Sequence, residues 1–127
     1  MKKVIKTDQA PGAIGPYSQA IQTGNMLFIS GQLGLDPSTG NFVPGGIVEQ
    51  TLQVFTNIQA ILAAAGFDLE DVVKTTVFLD DMANFADFNK VYAAQLESVN
   101  AYPARSTVAV KTLPRNGLVE IEVIAVR

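Results

Sequence analysis

The sequence predicts an α+β domain: a mixed β-sheet of about six strands, covered on one face by two helices. Three observations lead there. Two segments repeat apolar residues every three and four positions, and the segments around them are β-branched or alternate in polarity. The predicted order is β-β-β-α-β-α-β-β, so both helices pack on a sheet instead of on each other alone. The C-terminal quarter, Pro103-Ala104-Arg105-Ser106-Thr107 through Val119-Glu120-Ile121-Glu122-Val123-Ile124-Ala125-Val126, reads as two strands with charges at positions where a sheet is normally apolar. At 127 residues the chain suffices for one core, and no linker or internal repeat divides it, so residues 1–127 are read as a single domain.

In chain order, residues 3–7 form a short edge strand. Ala10-Pro11-Gly12-Ala13-Ile14-Gly15-Pro16 is a loop, because its prolines and glycines interrupt any ladder. Residues 18–23 and 26–31 are strands around the hairpin signal Gly24-Asn25. Asp36-Pro37-Ser38-Thr39-Gly40 is a further turn. Residues 46–65 form an amphipathic helix with Val48, Leu52, Phe55, Ile58, Leu62 and Ala65 inward and Glu49, Gln53 and Asn57 outward, ended by Gly66. Residues 72–79 are β-branched enough for a central strand. A second helix covers 82–98, capped by Asp80 or Asp81, with Phe85, Phe88, Tyr92, Leu96 and Val99 inward. The last two strands follow Pro103 and pair as a hairpin about Pro114-Arg115. One sheet face then lacks a cover, and Val110, Ile124 or Val126 on it would be buried by subunit association.

Composition narrows the chemistry. Hydrophobic residues make up 48% and charged residues 17%, with a mean hydropathy of +0.24, which favours a homo-oligomer. A net charge of −3, with no basic cluster, argues against nucleic-acid binding through phosphate neutralisation. There is no apolar run long enough for a signal peptide or a membrane span, so a cytosolic protein with no membrane partner is expected. The chain has no His and no Cys, which excludes His-based triads, thiolate nucleophiles, disulfides and the usual zinc sites. Its glycines match no phosphate-binding loop. Catalysis, if any, falls to Arg, Lys, Glu, Asp, Tyr, Ser, Thr, backbone groups and water.

The candidate residues follow from strand parity. Arg105, Thr107 and Ala109 share one face of their strand, and Glu120 and Glu122 share a face with Ile124 and Val126. Arg105 is a surface ion-pair partner, an interface anchor or a clamp for a ligand carboxylate; the planar fork suits the last. Glu120 is either its salt-bridge mate or a base beside bound water, and Glu122 competes for that role. Hairpin pairing would set Glu120 nearer Thr107 or Val108 than Arg105, so that both line one pocket. Tyr17, delivered by a rigid Gly-Pro turn, either packs or presents its phenol. Gly31, after Ser30, marks a bulge or a close approach of ligand to backbone. Asn89, among apolar neighbours, is a helix-to-loop bond or a pocket residue.

Together, Gly15-Pro16-Tyr17-Ser18-Gln19-Ala20, Ser30-Gly31-Gln32, Lys74-Thr75-Thr76-Val77-Phe78-Leu79, Phe88-Asn89-Lys90-Val91-Tyr92, Tyr102-Pro103-Ala104-Arg105-Ser106 and Val119-Glu120-Ile121-Glu122 resemble the RidA/YjgF family of imine and enamine deaminases along essentially the whole chain. The resemblance implies a chorismate-mutase-like fold, a homotrimer with clefts between subunits, and no cofactor or metal. It implies hydrolysis of 2-iminoacids, formed from enamines such as 2-aminoacrylate, to 2-ketoacids and ammonia. By position, Arg105 matches the arginine that grips the substrate carboxylate and Glu120 the glutamate that activates water. Tyr17, Ser30, Gly31 and Asn89 match residues around the pocket. Thr107 stands where many members have cysteine, which keeps a small binding residue and removes thiol chemistry. The rival readings are a non-enzymatic trimeric 2-ketoacid binder and an RNA-cleaving protein, the latter disfavoured by the acidic balance.

Overall fold

The computed structural model describes all 127 residues. Six strands make one sheet in the order β1-β2-β3-β6-β4-β5: β1 Lys2–Ile5, β2 Ala20–Thr23, β3 Met26–Leu33, β4 Val72–Leu79, β5 Ala104–Ala109 and β6 Val119–Val126. Helices α1 (Ile47–Ala64) and α2 (Phe85–Gln95) lie on one side of it. Every strand pair is antiparallel except β4–β5, so the sheet is mixed, as the sequence predicts.

The expected hairpin between the last two strands does not form. β4 lies between them, parallel to β5 and antiparallel to β6. The reason is α2, a crossover that brings the chain back beside β4 in the same direction. The segment Leu113–Gly117, with Arg115 and Asn116 both at positive φ, then carries the chain past β4 to the gap beside β3. β6 suits that central slot. Val119, Ile121, Val123 and Ala125 alternate and are each at most 2% exposed.

Those four side chains meet Leu27 and Ile29 of β3, Val77 and Leu79 of β4, and the inner stripes of both helices in one core. The stripe of α1 is rotated from the expected one. Ile47, Gln50, Thr51, Val54, Phe55, Ile58, Ile61 and Leu62 are buried, whereas Val48 and Leu52 are exposed. Asn57, expected outside, is fully buried, and its Nδ2 donates to Leu33 O and Leu35 O. Gln50 Oε1 likewise accepts from Leu118 N. Both amides bind backbone groups at the end of β3 and in the loops, so polarity at those positions does not mean exposure. Gly34 lets β3 meet α1: a Cβ there would lie 2.8 Å from the Gln50 Cα. Asp81 caps a 3-10 turn, accepting from Ala83 N at 2.8 Å, and α2 proper begins at Phe85.

The other face carries no helix. Phe28, Lys74, Thr76, Phe78, Ser106, Val108, Glu120, Glu122, Ile124 and Val126 alternate onto it, and Phe28 and Val108 are 38% and 47% exposed. Lys74 Nζ reaches across it to Ser106 Oγ at 2.9 Å. No helix is long and apolar enough to cross a membrane.

Candidate functional site: two half-sites on opposite sheet faces

Arg105 pairs in register with Thr75 of β4, whose side chain is buried under α2, so Arg105 projects to the helix side at the sheet edge. Its Nη1 donates to Asn89 Oδ1 at 2.7 Å, so Asn89 bonds to the arginine side chain and not to a loop. The guanidinium carbon lies 4.7 Å from the Tyr92 ring centre and 5.5 Å from that of Phe85. No carboxylate neutralises it, since the one ion pair of the chain is Arg127 to Asp71 at 3.6 Å. A cavity of about 420 Å³ opens beside it, lined by Asn89, Tyr92, Ala93, Tyr102, Pro103 and Arg105. Thr107 lies two positions along the same face, and its buried Oγ1 has no hydrogen-bond partner. A free guanidinium fork and an unsatisfied hydroxyl on one strand face form a ready anion-binding half-site.

Glu120 sits on the other face. It pairs with Leu33 of β3 and Phe78 of β4, where the β3–β6 register shifts between Ile29 and Gln32. Gly31 is in that bulge because Glu120 needs its space: a Cβ at Gly31 would lie 2.7 Å from the carboxyl carbon. Burial, followed by repulsion from Glu122, pushes the Glu120 carboxyl above its ordinary value. Glu122 itself is exposed, two positions along, beside Lys74 and Thr76, so the shielded acid is Glu120.

Tyr17, Ser30 and Gly31 belong with Glu120. Ser30 Oγ donates to Ser18 O at 2.6 Å and Ser30 N donates to Gln19 O, tying the Tyr17 turn to the bulge. Tyr17 and Ser30 line a common cleft of about 410 Å³. Tyr17 as a residue is 53% exposed; it does not pack into the core, and its hydroxyl accepts from Ile14 N at 3.4 Å. Gln19, buried, closes the preceding loop by accepting from Thr7 N and donating to Thr7 O and Pro11 O.

The seven candidate residues therefore form two groups, not one. Arg105, Asn89 and Thr107 are on the helix side of the edge strand, and Glu120, Gly31, Ser30 and Tyr17 on the open face. Arg105 and Glu120 are three residues apart in register along β4, ~10 Å, and point in opposite directions. The single pocket expected from a hairpin is overturned by the insertion of β4. Parity was right and adjacency was wrong. Sequence reasoning also missed Tyr92, Phe85 and Thr75 as surroundings of Arg105. The signal was present in the spacing Phe85, Phe88, Asn89, Tyr92, one helix face that the 3.6 period assigns to core alone. No group of three or more Asp and Glu side chains is placed to hold a metal ion.

Fold and polar groups thus define an α+β domain with one cationic and one acidic cluster, the cationic one beside a cavity of about 420 Å³. The family model described as Endoribonuclease L-PSP matches residues 7–127. The chain is 55% identical over 125 residues to a RutC family protein of Pyrococcus horikoshii, covering 98% of each. It is 51% identical over 127 residues to a Mus musculus protein named 2-iminobutanoate/2-iminopropanoate deaminase, covering 100% of this chain and 93% of that one. Among solved structures, RidA from an Antarctic Psychrobacter species superposes with a TM-score of 0.93 at 50% identity, covering 98% of this chain and 99% of that one. E. coli TdcF with bound serine superposes with a TM-score of 0.94 at 44% identity and covers 98% of both. The chain belongs to the RidA/YjgF family. Deaminase is the activity for which its mammalian relatives near 50% identity are named.

Proposed function

We propose that this protein hydrolyses small 2-iminoacids, such as 2-iminopropionate and 2-iminobutyrate, to 2-ketoacids and ammonia without a cofactor. The observation that carries this reading is Arg105: a guanidinium held by a neutral amide, with no counter-ion and a cavity beside it. Such a fork binds a carboxylate through two parallel charge-assisted hydrogen bonds. A protonated imine is already electrophilic, so the remaining task is to deliver water. Glu120, ionised, accepts a proton from that water as its oxygen bonds to the imine carbon and the C=N electrons move to nitrogen, giving a carbinolamine. Glu120 then returns the proton to the amine nitrogen, and the C–N bond breaks as the hydroxyl oxygen closes to C=O. The hydroxyl proton passes to the departing ammonia, which leaves as ammonium with Glu120 ionised again. The TdcF structure is described as holding bound serine, a small molecule that carries a carboxylate of the kind such a fork takes.

Arg105 and Glu120 act on one substrate only if different copies supply them. We read the assembly as a homotrimer in which the Arg105–Asn89–Thr107 edge of one copy closes over the Glu120–Gly31–Ser30–Tyr17 face of the next. The uncovered sheet face, with Phe28, Val108 and Ile124 on it, gives the copies an apolar surface to share. An RNA-cleaving reading, which the family description suggests, finds no basic surface here: the net charge is −3 and the chain lacks His.

The test is ketoacid release from 2-iminobutyrate, generated by a dehydratase. Arg105→Ala is expected to lose on the order of 10²- to 10³-fold in kcat/KM. Glu120→Gln is expected to lose about 10²-fold or more in kcat while still binding ketoacid. A parent protein that binds ketoacid and does not accelerate release is a binder, and the deaminase reading then fails.

A further inference from the structure

Arg105 lies against an aromatic wall as well as Asn89. The three rings within 6.0 Å of its guanidinium carbon, Phe85, Phe88 and Tyr92, come from one face of α2, with Asn89 between them. Tyr92 is the nearest, at 4.7 Å, and it is 4% exposed. Its ring is fixed from two further sides, edge-on against Phe55 at 5.7 Å and tilted against Phe88 at 5.5 Å. Its hydroxyl shares a 2.8 Å hydrogen bond with Thr75 Oγ1, and Thr75 is the strand neighbour of Arg105 itself. Ring and arginine are therefore registered to the same point of the β4–β5 pair.

The chemistry of that contact differs from an ion pair. A π face attracts the guanidinium without cancelling its charge and without consuming the N–H donors that a carboxylate needs. It also removes rotamer freedom from a long side chain before any ligand arrives, which lowers the ordering cost of binding. An acidic residue in the place of Tyr92 would hold the arginine more firmly and leave it unable to take a second anion.

We propose that Tyr92, through its ring, is the positioning residue that presents Arg105 to the carboxylate of the ligand. The inference rests on the reading of Arg105 as the carboxylate clamp. Its test is calorimetric binding of 2-ketobutyrate to the purified oligomer, with KM and kcat for 2-iminobutyrate measured beside it. Tyr92→Leu, which removes the ring, is expected to weaken ketoacid binding and raise KM about 3- to 30-fold, with kcat changed by less than about threefold. Tyr92→Phe, which keeps the ring, restores binding to within about twofold of the parent, at the cost of a lower Tm from the orphaned Thr75 hydroxyl. Phe85→Leu, at the half-exposed start of α2, serves where Tyr92→Leu does not fold, with binding weakened about twofold or more.

Parental affinity in the folded Tyr92→Leu or Phe85→Leu protein, while Arg105→Ala has lost binding, overturns the positioning role and leaves the clamp intact. Parental affinity in Arg105→Ala overturns the clamp and the positioning role with it. A fall in kcat with KM and affinity unchanged also overturns it, because a ring that positions the carboxylate clamp must act through ligand affinity.

Discussion

The two faces of the sheet are built to different rules. Under the helices, β6 presents Val119, Ile121, Val123 and Ala125, and the buried side-chain nitrogen and oxygen atoms all find a partner except the hydroxyls of Thr51 and Thr107. On the open face the same strand presents Glu120, Glu122, Ile124 and Val126, half-buried or exposed. One strand thus buries its odd positions and leaves its even ones, two of them acidic, on the open face. The Thr107 exception is instructive, because it sits where the helix cover ends, two residues from an arginine that also has no charged partner. Thr51, by contrast, is fully buried on α1, where its unpaired hydroxyl is closed to any ligand.

Two glycines separated by three residues sharpen the contrast. Gly34→Ala drives a Cβ to 2.8 Å from the Cα of Gln50, a backbone atom that cannot swing aside. It is expected to cost about 1–3 kcal/mol in chemical denaturation and to leave the folded fraction active. Gly31→Ala presses on the Glu120 carboxyl instead, at 2.7 Å, and a side chain can move. Its expected signature is the reverse: about a tenfold or greater loss of kcat, because a displaced carboxylate no longer meets its water, with a Tm near that of the parent. Equal effects of both substitutions on stability and rate would dissolve the distinction between the faces.

A smaller effect tests the environment of Glu120. Burial and Glu122 raise its pKa, and the proposed reaction needs its ionised form, so activity is expected to fall as pH drops through a value above the ordinary carboxylate range. Glu122→Gln removes one of the two causes and moves that acid limb to lower pH. The linked stability has the opposite sense. A raised folded pKa favours the folded state below the unfolded value, and that advantage is lost as pH rises through the folded one, so Glu120→Gln is expected to be the more stable protein at neutral pH. An acid limb that Glu122→Gln leaves in place would assign it to another group.

Much of this architecture was legible from local pattern. Strand 72–79, the Gly24-Asn25 turn, the cap at Asp81 and the even/odd division of β5 and β6 follow from periodicity and turn chemistry alone. What local pattern does not encode is which strands become neighbours. Pro114-Arg115-Asn116-Gly117 looks like a hairpin turn, yet the crossover through α2 places β4 between β5 and β6 and sends Arg105 and Glu120 to opposite faces. The rotation of α1 was hidden for a similar reason. Asn57 and Gln50 are polar because they bind loop carbonyl and amide groups from far along the chain, which a helical wheel reads as solvent exposure. Arg105 and Glu120 stood out as charges in apolar strands, while Tyr92 did not, because an aromatic on a core stripe looks the same whether it packs or positions.

The central claim is that each active site takes its arginine from one copy and its glutamate from another. The most direct measurement mixes Arg105→Ala and Glu120→Ala chains, each inactive alone, unfolds and refolds them together, and follows ketoacid release. Random assembly should return about one quarter of the parental activity, because that share of clefts combines an intact arginine with an intact glutamate. A mixture as inactive as its components would show that both groups must come from the same chain, and the two-copy site would be wrong.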